Sequence, residues 1–334
     1  MGKMEKITLI IPTYNEEKYI ARLLGSIAKQ TYSSNLLEIF IFDGNSTDHT
    51  VKIINDFKKE LNISLFANKK KHQVFAFNQG IKKSTAKYFM IIGAHSILDK
   101  NYIKSNYDAL IKLKNKNVVA VGGIIKNIFD NKFSELVSTM FTSPIFGGSG
   151  FRYSSKSDFY KTIVFGLYDK EIVKRAGLFD EDMICGNDFE LNIRLDKLEY
   201  KLYQNSKTGF KYFNRSSIKK FVKQIVEYGV VKGICIKKKY FNLFWLAPLG
   251  FLIYELLLLG SLFTPFFSTL IWILFLYLLI LIVATSALLI KYKKFYLVQT
   301  IWLFFISHNL VAFGLLKGLL FGKKSFRYYS KGKK

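Results

Sequence analysis

The side chains able to do chemistry fall at the ends of apolar runs. Pro12-Thr13-Tyr14-Asn15-Glu16-Glu17 follows Ile7 to Ile11, and Asp43-Gly44-Asn45-Ser46-Thr47-Asp48 follows Leu37 to Phe42. Gly93-Ala94-His95-Ser96 follows Tyr88 to Ile92. A tyrosine ring such as Tyr14 can stack on a base, and the Asp43 carboxylate can accept from a base N–H or a ribose hydroxyl. His95 offers an imidazole to a metal ion or to phosphate, or is a satisfied structural histidine. Arg152 closes the glycine-rich run Phe146-Gly147-Gly148-Ser149-Gly150-Phe151-Arg152 and can pair with phosphate; a plain flexible linker is the competing reading. Asp188, in Gly186-Asn187-Asp188-Phe189-Glu190, places a carboxylate at a helix start, where it is either an N-cap or a working acid–base group.

The elements that position these groups are legible in the hydrophobic pattern. Ile7 to Ile11 and Leu37 to Phe42 are β-rich and nearly all apolar, as strands buried on both faces should be. Pro12 is expected to stop the first. Asn15 is expected to N-cap a helix with Glu16 and Glu17 in its first turn, where carboxylates suit the helix dipole, and with Ile20, Leu23, Leu24 and Ile27 facing the core. Two parallel strands joined by a helix bring both strand ends to one sheet edge, the usual ligand edge of open α/β sheets, so Pro12, Tyr14 and Asp43 should converge. Neither GxGxxG nor GxxxxGK[ST] is present, which excludes the usual dinucleotide and P-loop solutions. Further strands are expected at Ile63 to Phe66, Tyr88 to Ile92 and Val118 to Gly123. Helices are expected at about Val74 to Lys83, carrying Asn78, at Phe133 to Phe141, at Glu171 to Ala176 and after Asp188. Asn68-Lys69-Lys70-Lys71 reads either as a solvated loop or as a basic rim beside a diphosphate.

In this order the motifs resemble those of family 2 glycosyltransferases, over most of the first 235 residues. Ile11-Pro12-Thr13-Tyr14-Asn15-Glu16-Glu17 and the Asp43 segment look like the start of that family's catalytic domain. The Ala-His-Ser run, the glycine-rich run ending in Arg152, Tyr228-Gly229 and Lys232-Gly233 resemble its succinoglycan-type, ExoA-like subgroup. The resemblance implies a GT-A fold: an α/β, Rossmann-like mixed sheet with helices on both faces, binding a nucleotide-diphosphate sugar donor. It implies donor contacts at Pro12, Tyr14, Glu16, Asp43, Asn78 and Arg152. Many relatives end the second strand in two aspartates; this chain has Asp43 then Gly44. The family's metal-binding Asp-x-Asp falls on Gly93 and His95, so a divalent metal, Mn²⁺ or Mg²⁺, would be held with His95 as ligand, or His95 would donate to phosphate directly. The family's Glu-Asp pair falls on Asn187 and Asp188, which leaves Asp188 as the general base of inverting transfer. Processive relatives carry Gln-x-x-Arg-Trp where this chain has Gln224-Ile225-Val226-Glu227-Tyr228, so transfer should be non-processive.

Fifty Lys plus Arg against 24 Asp plus Glu give a net charge of +26, which calls for an anionic partner. The basic residues form no single stripe and no zinc-finger or RNP motif accompanies them, so nucleic acid is not expected; an anionic membrane surface is. Cys185 and Cys235 make no disulfide framework, and the charged Met1 to Lys6 stretch does not read as a signal peptide.

Toward the C-terminus an amphipathic stretch comes first, and from Phe241 the composition changes. Ser216 to Tyr228 places Ile218, Phe221, Val222, Ile225 and Val226 on one helical stripe with Lys219, Lys220 and Lys223 opposite, the pattern of a helix lying in a membrane surface. Leu243 to Phe266 and Ser268 to Ile290 are each long enough to span ~30 Å of hydrocarbon at about 20 residues. Val298 to Phe321 is broken by Ser307-His308-Asn309 and Lys317. The expected organisation is a catalytic domain over 1–212, an amphipathic interfacial helix and basic linker over 213–240, a membrane region over 241–322 and a basic tail over 323–334. Basic flanks at both ends of the apolar pair place those ends in the cytoplasm. The basic tail then favours a spanning hairpin with a re-entrant or interfacial third run over three crossings. The function expected is membrane-anchored, inverting transfer of a sugar to a lipid-linked or glycan acceptor in cell-surface polysaccharide synthesis. The alternative is a catalytically degenerate membrane scaffold that kept the fold.

Overall fold

The computed structural model describes residues 4–146, 150–152, 154–213 and 217–326. Gly147, Gly148 and Ser149 of the glycine-rich run, Ser216, and the last eight residues of the basic tail lie outside them. The chain divides into two compact units, residues 1–128 with 149–213, and residues 129–148 with 214–334.

The first unit is built on one mixed sheet. In chain order its strands are β1 (Ile7–Thr13), β2 (Leu37–Asp43), β3 (Ile63–Ala67), β4 (Tyr88–Ile91), β5 (Ser96–Leu98), β6 (Val118–Ile128), β7 (Asp158–Tyr160), β8 (Leu167–Asp169) and β9 (Lys201–Phe213). The sheet order is β3-β2-β1-β4-β8-β6-β9-β5, with β7 on β9. β3, β2, β1 and β4 run parallel to one another, and β8 runs against both β4 and β6. The helices of this unit are α1 (Ile20–Ala28), α2 (Thr50–Phe57), α3 (Gln73–Lys83), α4 (Tyr102–Leu113), α6 (Lys170–Arg175) and α7 (Asn187–Lys197); α5 (Lys132–Phe141) falls in the second unit.

Alternation along β1 makes two cores. Ile7, Leu9 and Ile11 pack with α1 residues Leu23 and Leu24 and α4 residues Ile103 and Leu110. Ile10 packs the other way, with Phe77 and Ile81 of α3 and Leu191 and Leu195 of α7. This is the mixed sheet with helices on both faces that the family resemblance implies, and the period of two is what sorts the side chains.

Two expectations are corrected. Pro12 does not end β1, because the ladder to β2 runs on through Pro12↔Phe42 to Thr13↔Asp43. The ladder to β4 has already ended at Ile10↔Ile91, so a residue without an N–H costs the sheet little there. β6 likewise continues past Gly122 and Gly123 to Ile128. These glycines admit neighbours rather than end the strand: a Cβ on Gly123 would lie 2.6 Å from the Tyr102 ring.

The second unit is helical: α5, α8 (Ile218–Lys237), α9 (Ala247–Gly260), α10 (Phe267–Tyr292) and α11 (Thr300–Phe321). Three helical stretches, Leu243–Gly260, Phe267–Tyr292 and Phe295–Phe326, are long and apolar enough to cross a membrane. Part of the apolar stripe of α8 faces protein, since Phe221 and Ile225 are buried with Val137, Met140 and Phe141 of α5 and Val311 of α11, while Ile218 and Val222 are exposed. Each of α8 and α11 carries a Gly-x-x-x-Gly, Gly229 to Gly233 and Gly314 to Gly318, and these meet backbone to backbone. A Cβ on Gly314 would fall 2.2 Å from the Val226 carbonyl oxygen, and one on Gly229 2.2 Å from that of Val311. The polar run of α11 is also satisfied by protein. Tyr277 Oη lies 2.7 Å from His308 Nδ1, Asn309 Nδ2 donates to Glu255 Oε1 at 3.2 Å, and Ser307 Oγ donates to Met140 Sδ at 3.7 Å.

Gly314→Val should therefore drive the two helices apart and cost about 1–3 kcal/mol, the usual penalty of overpacking. Gly250→Ala, where a Cβ meets nothing within 4 Å, should be neutral. Thermal unfolding of the detergent-solubilised protein checks this: a clear drop in midpoint for the first and none for the second.

Candidate active site

The site is assembled from two turns that hold each other. Asn15 does not cap α1, which begins at Ile20 after Tyr19 with no side-chain cap. Instead Asn15 sits at a left-handed φ of 53° and bridges to the turn after β2. Its N–H donates to Ser46 Oγ at 2.9 Å, and its Oδ1 accepts from the Thr47 N–H at 2.9 Å. The Glu16 N–H donates to Thr50 Oγ1 at 2.8 Å and the Glu17 N–H to Asp48 Oδ2 at 3.2 Å. The first helical turn is thus replaced by a lock between the two strand ends.

Asp43 is the centre of that lock. Its Oδ1 accepts from Ser46 Oγ at 2.6 Å and Thr13 Oγ1 at 3.1 Å, and its Oδ2 from the Ser46 N–H at 2.8 Å. It is buried, and its carboxylate is largely occupied by its own turn. Gly44, beside it, packs under Tyr14: a Cβ there would lie 3.3 Å from the Tyr14 ring. Lys71 Nζ stands 5.9 Å from the Tyr14 ring centroid, which puts the end of the Lys69–Lys71 run beside this aromatic. Pro12 and Tyr14 are partly exposed at this edge.

His95 and Glu16 are brought together. His95 Nδ1 lies 3.5 Å from Glu16 Oε1 and Nε2 lies 2.9 Å from Tyr212 Oη. Burial opposes charge on this ring, but the Tyr212 oxygen and the Glu16 carboxylate outweigh it and push its pKa up to about 9. Gly93, two residues earlier, faces the Phe165 ring, whose Cζ would be 2.9 Å from a Cβ there. Both ring nitrogens of His95 have partners and the Gly93 position has no room for a carboxylate. Among the described residues no three His, Cys, Asp or Glu side chains cluster. As arranged, these residues do not fit a divalent cation.

Asp188 is the second residue of α7 and not its cap, which is Gly186 at a φ of 64°. The neighbouring Asn187 is buried, donates to the Met183 carbonyl and accepts from Gln73 Nε2 at 2.9 Å. Gln73 opens α3, just beyond the end of β3, so Asp188 is moored to the same sheet edge as Asp43. Its carboxyl is raised above the usual range by burial, against the Phe189 N–H, which Oδ1 accepts at 2.9 Å, and against the charge of Arg152. Arg152 and Asp188 thus share one electrostatic neighbourhood. Asn78 is engaged within the protein. Its Nδ2 donates to the Phe179 carbonyl at 2.8 Å and to Glu181 Oε1 at 3.2 Å, and its Oδ1 accepts from the Phe179 N–H at 3.0 Å. Both amide hydrogens are engaged, and the residue braces α3 against the segment leading to α7.

That segment is held by a buried fork. Arg194 Nε and Nη2 donate to Glu190 Oε1 and Oε2, each at 2.8 Å, and Nη2 also donates to the Leu178 carbonyl at 2.6 Å. The residues missed at the sequence level are the long-range partners: Tyr212, Phe165 and Gln73. None has a local signature, since each acts through a contact made only by folding.

Against this geometry the comparisons are decisive. Residues 8–177 match the family described as Glycosyl transferase family 2. The chain belongs to that family. It is a glycosyltransferase, and its Asp43, His95 and Arg152 segments all lie within the matched span. It is 39% identical over 330 residues to a Methanococcus voltae protein named dolichyl N-acetyl-alpha-D-glucosaminyl phosphate 3-beta-D-2,3-diacetamido-2,3-dideoxy-beta-D-glucuronosyltransferase, covering 97% of this chain and 100% of that one. It is 27% identical to the Rhizobium meliloti succinoglycan biosynthesis protein ExoA, over 66% of this chain and 67% of that one, in keeping with the subgroup resemblance. The mannosyltransferase PcManGT of Pyrobaculum calidifontis, solved with GDP-Man and Mn²⁺, has the same fold at a TM-score of 0.62 and 15% identity, over 95% of this chain and 88% of that one.

Arg194→Ala should leave the Glu190 carboxylate buried and unpaired, at a cost of about 3–5 kcal/mol. A denaturant titration of the tryptophan signal should show the loss; an unchanged midpoint would mean that the fork does not hold α7.

Proposed function

We propose that this glycosyltransferase moves a sugar from a nucleotide-diphosphate donor to a hydroxyl of a lipid-linked acceptor, with inversion at the anomeric carbon and without processive polymerisation. The observation that carries the reading is Asp188, a carboxyl raised above its ordinary range, half-buried on α7 beside Arg152 and moored to the strand edge. A general base works best when its pKa approaches the working pH, and desolvation moves a carboxyl in that direction. In the proposed step Asp188 takes the proton of the acceptor hydroxyl as its oxygen attacks the anomeric carbon. The bond from that carbon to the donor phosphate breaks, and the nucleoside diphosphate leaves with the electron pair. Tyr14 and Pro12 flank the base at the strand edge, Asp43 shapes the turn that receives the nucleotide, and Lys71 and Arg152 supply positive charge to the phosphates. Support for a lipid-phosphate-linked acceptor is the name of the Methanococcus voltae relative, which matches along its whole length.

A membrane acceptor suits the second unit. We place α9 and α10 as a spanning hairpin whose outer ends are cytoplasmic, with the catalytic unit on that side. The third apolar stretch is the most covered by protein of the three and its Ser307, His308 and Asn309 have protein partners, which supports a packed, re-entrant or interfacial run.

Asp188→Asn should lower transfer by about 10²–10⁴-fold while leaving nucleotide binding within twofold, as removal of a general base does. Because Asp188 must be deprotonated to work, the rate falls as pH drops through its raised pKa. Arg152 stabilises the carboxylate, so Arg152→Gln should move that acid limb to higher pH. Near-wild-type turnover of Asp188→Asn would refute the base, and an unmoved limb in Arg152→Gln would refute the coupling. For topology, Lys324→Cys in a Cys185→Ser, Cys235→Ala background should resist an impermeant thiol reagent in intact cells; labelling there would favour three crossings.

A further inference from the structure

The place where family members carry a metal-binding Asp-x-Asp is built differently in this chain, and two independent features say how. The first is steric. The side of Gly93 that a first carboxylate would occupy holds the ring of Phe165. That ring is not loosely placed: Phe165 has a left-handed φ of 50°, its carbonyl accepts from Tyr102 Oη at 3.0 Å, and its ring packs 4.5 Å from that of Phe210. Tyr102 is itself fully buried and its ring lies against Gly123. A carboxylate at residue 93 would need this whole stack to move.

The second feature is the partnering of His95. Metal coordination takes a free lone pair on a neutral imidazole. Here Nδ1 faces the Glu16 carboxylate and Nε2 faces the Tyr212 hydroxyl. The Tyr19 ring stands edge-on to the imidazole, at 6.5 Å between centroids, and the Tyr212 ring at 4.9 Å. A ring with a carboxylate at one nitrogen and a hydroxyl oxygen at the other has an acceptor for a proton on each.

We infer that the donor's diphosphate is met in this chain by a protonated His95, backed by Glu16 and Tyr212, and not by a divalent cation. The inference rests on the sugar-nucleotide reading above. Glu16 holds the charge from behind. The Nε2–H, now directed at Tyr212 Oη, is the bond exchanged for a phosphate oxygen. When the anomeric carbon–oxygen bond breaks, the leaving diphosphate gains charge, and a fixed N–H donor aimed at it stabilises that charge without giving up its proton.

The test is calorimetric titration of the full-length, detergent-solubilised protein with UDP and with GDP, in excess chelator and again in Mn²⁺. The nucleotide that binds should do so with affinities within twofold in the two buffers. His95→Gln should weaken it at least tenfold in both, and His95→Lys should recover part of the loss. Binding that vanishes in chelator and returns with Mn²⁺ would overturn the inference alone, and so would wild-type affinity in a folded His95→Gln. The chelator arm needs no variant, so a misfolded mutant does not spare the inference. Failure of both nucleotides to bind in either buffer would overturn the sugar-nucleotide reading as well.

Discussion

The structure of the first unit depends on one constraint: the turns after β1 and β2 are fastened to each other. Parallel pairing brings Thr13 beside Asp43, but pairing alone would leave two independent loops at the sheet edge. Asn15 gives up a helix cap to bridge them, and Asp43 turns its carboxylate onto Thr13 and Ser46. Glu16 is thereby held close to His95, whose neighbour Ser96 begins β5 against Tyr212 of β9. One set of short-range bonds thus joins three strand ends that are far apart in sequence. A binding edge made this way is preorganised, and preorganisation is where much of the free energy of binding and catalysis comes from.

The second unit follows a different rule. Its helices carry few polar pairs and approach through glycine. The backbone contact between α8 and α11 is closer than any side chain would permit, and it forms where both helices carry Gly-x-x-x-Gly. The lysines inside those motifs, Lys232 and Lys317, keep each helix from being uniformly apolar. The exposed apolar faces of α9 and α10, by contrast, include Leu256, Leu257, Leu259, Trp272, Phe275 and Leu276 and have no protein cover among the described residues. Such faces suit hydrocarbon, whereas the buried Ser307 and its paired neighbours His308 and Asn309 suit a protein interior.

Much of this was legible in the sequence, for a physical reason in each case. Buried parallel strands must be continuously apolar, so β1, β2 and β4 announced themselves, and the turn chemistry at their ends marked the sheet edge where those turns meet. Asp188 could be placed at the start of a helix because Leu191 and Leu195 recur at helical spacing. The errors have equally physical causes. Asn15 has a capping side chain, but whether it caps or bridges depends on Ser46 and Thr47, 31 and 32 residues away. The resemblance puts Asn78 among the donor contacts; that its side chain also bonds the Phe179 backbone, about a hundred residues on, has no local sign. Nothing local predicts that Phe165 fills the space beside Gly93.

The central claim is direct displacement at the anomeric carbon, with Asp188 activating the acceptor hydroxyl and no glycosyl-enzyme intermediate between donor and product. The stereochemical course tests it most directly. Proton NMR of the product formed from an anomerically pure donor should show the opposite anomeric configuration in the new glycosidic bond. Retention of the donor's configuration would contradict single displacement and with it the role assigned to Asp188.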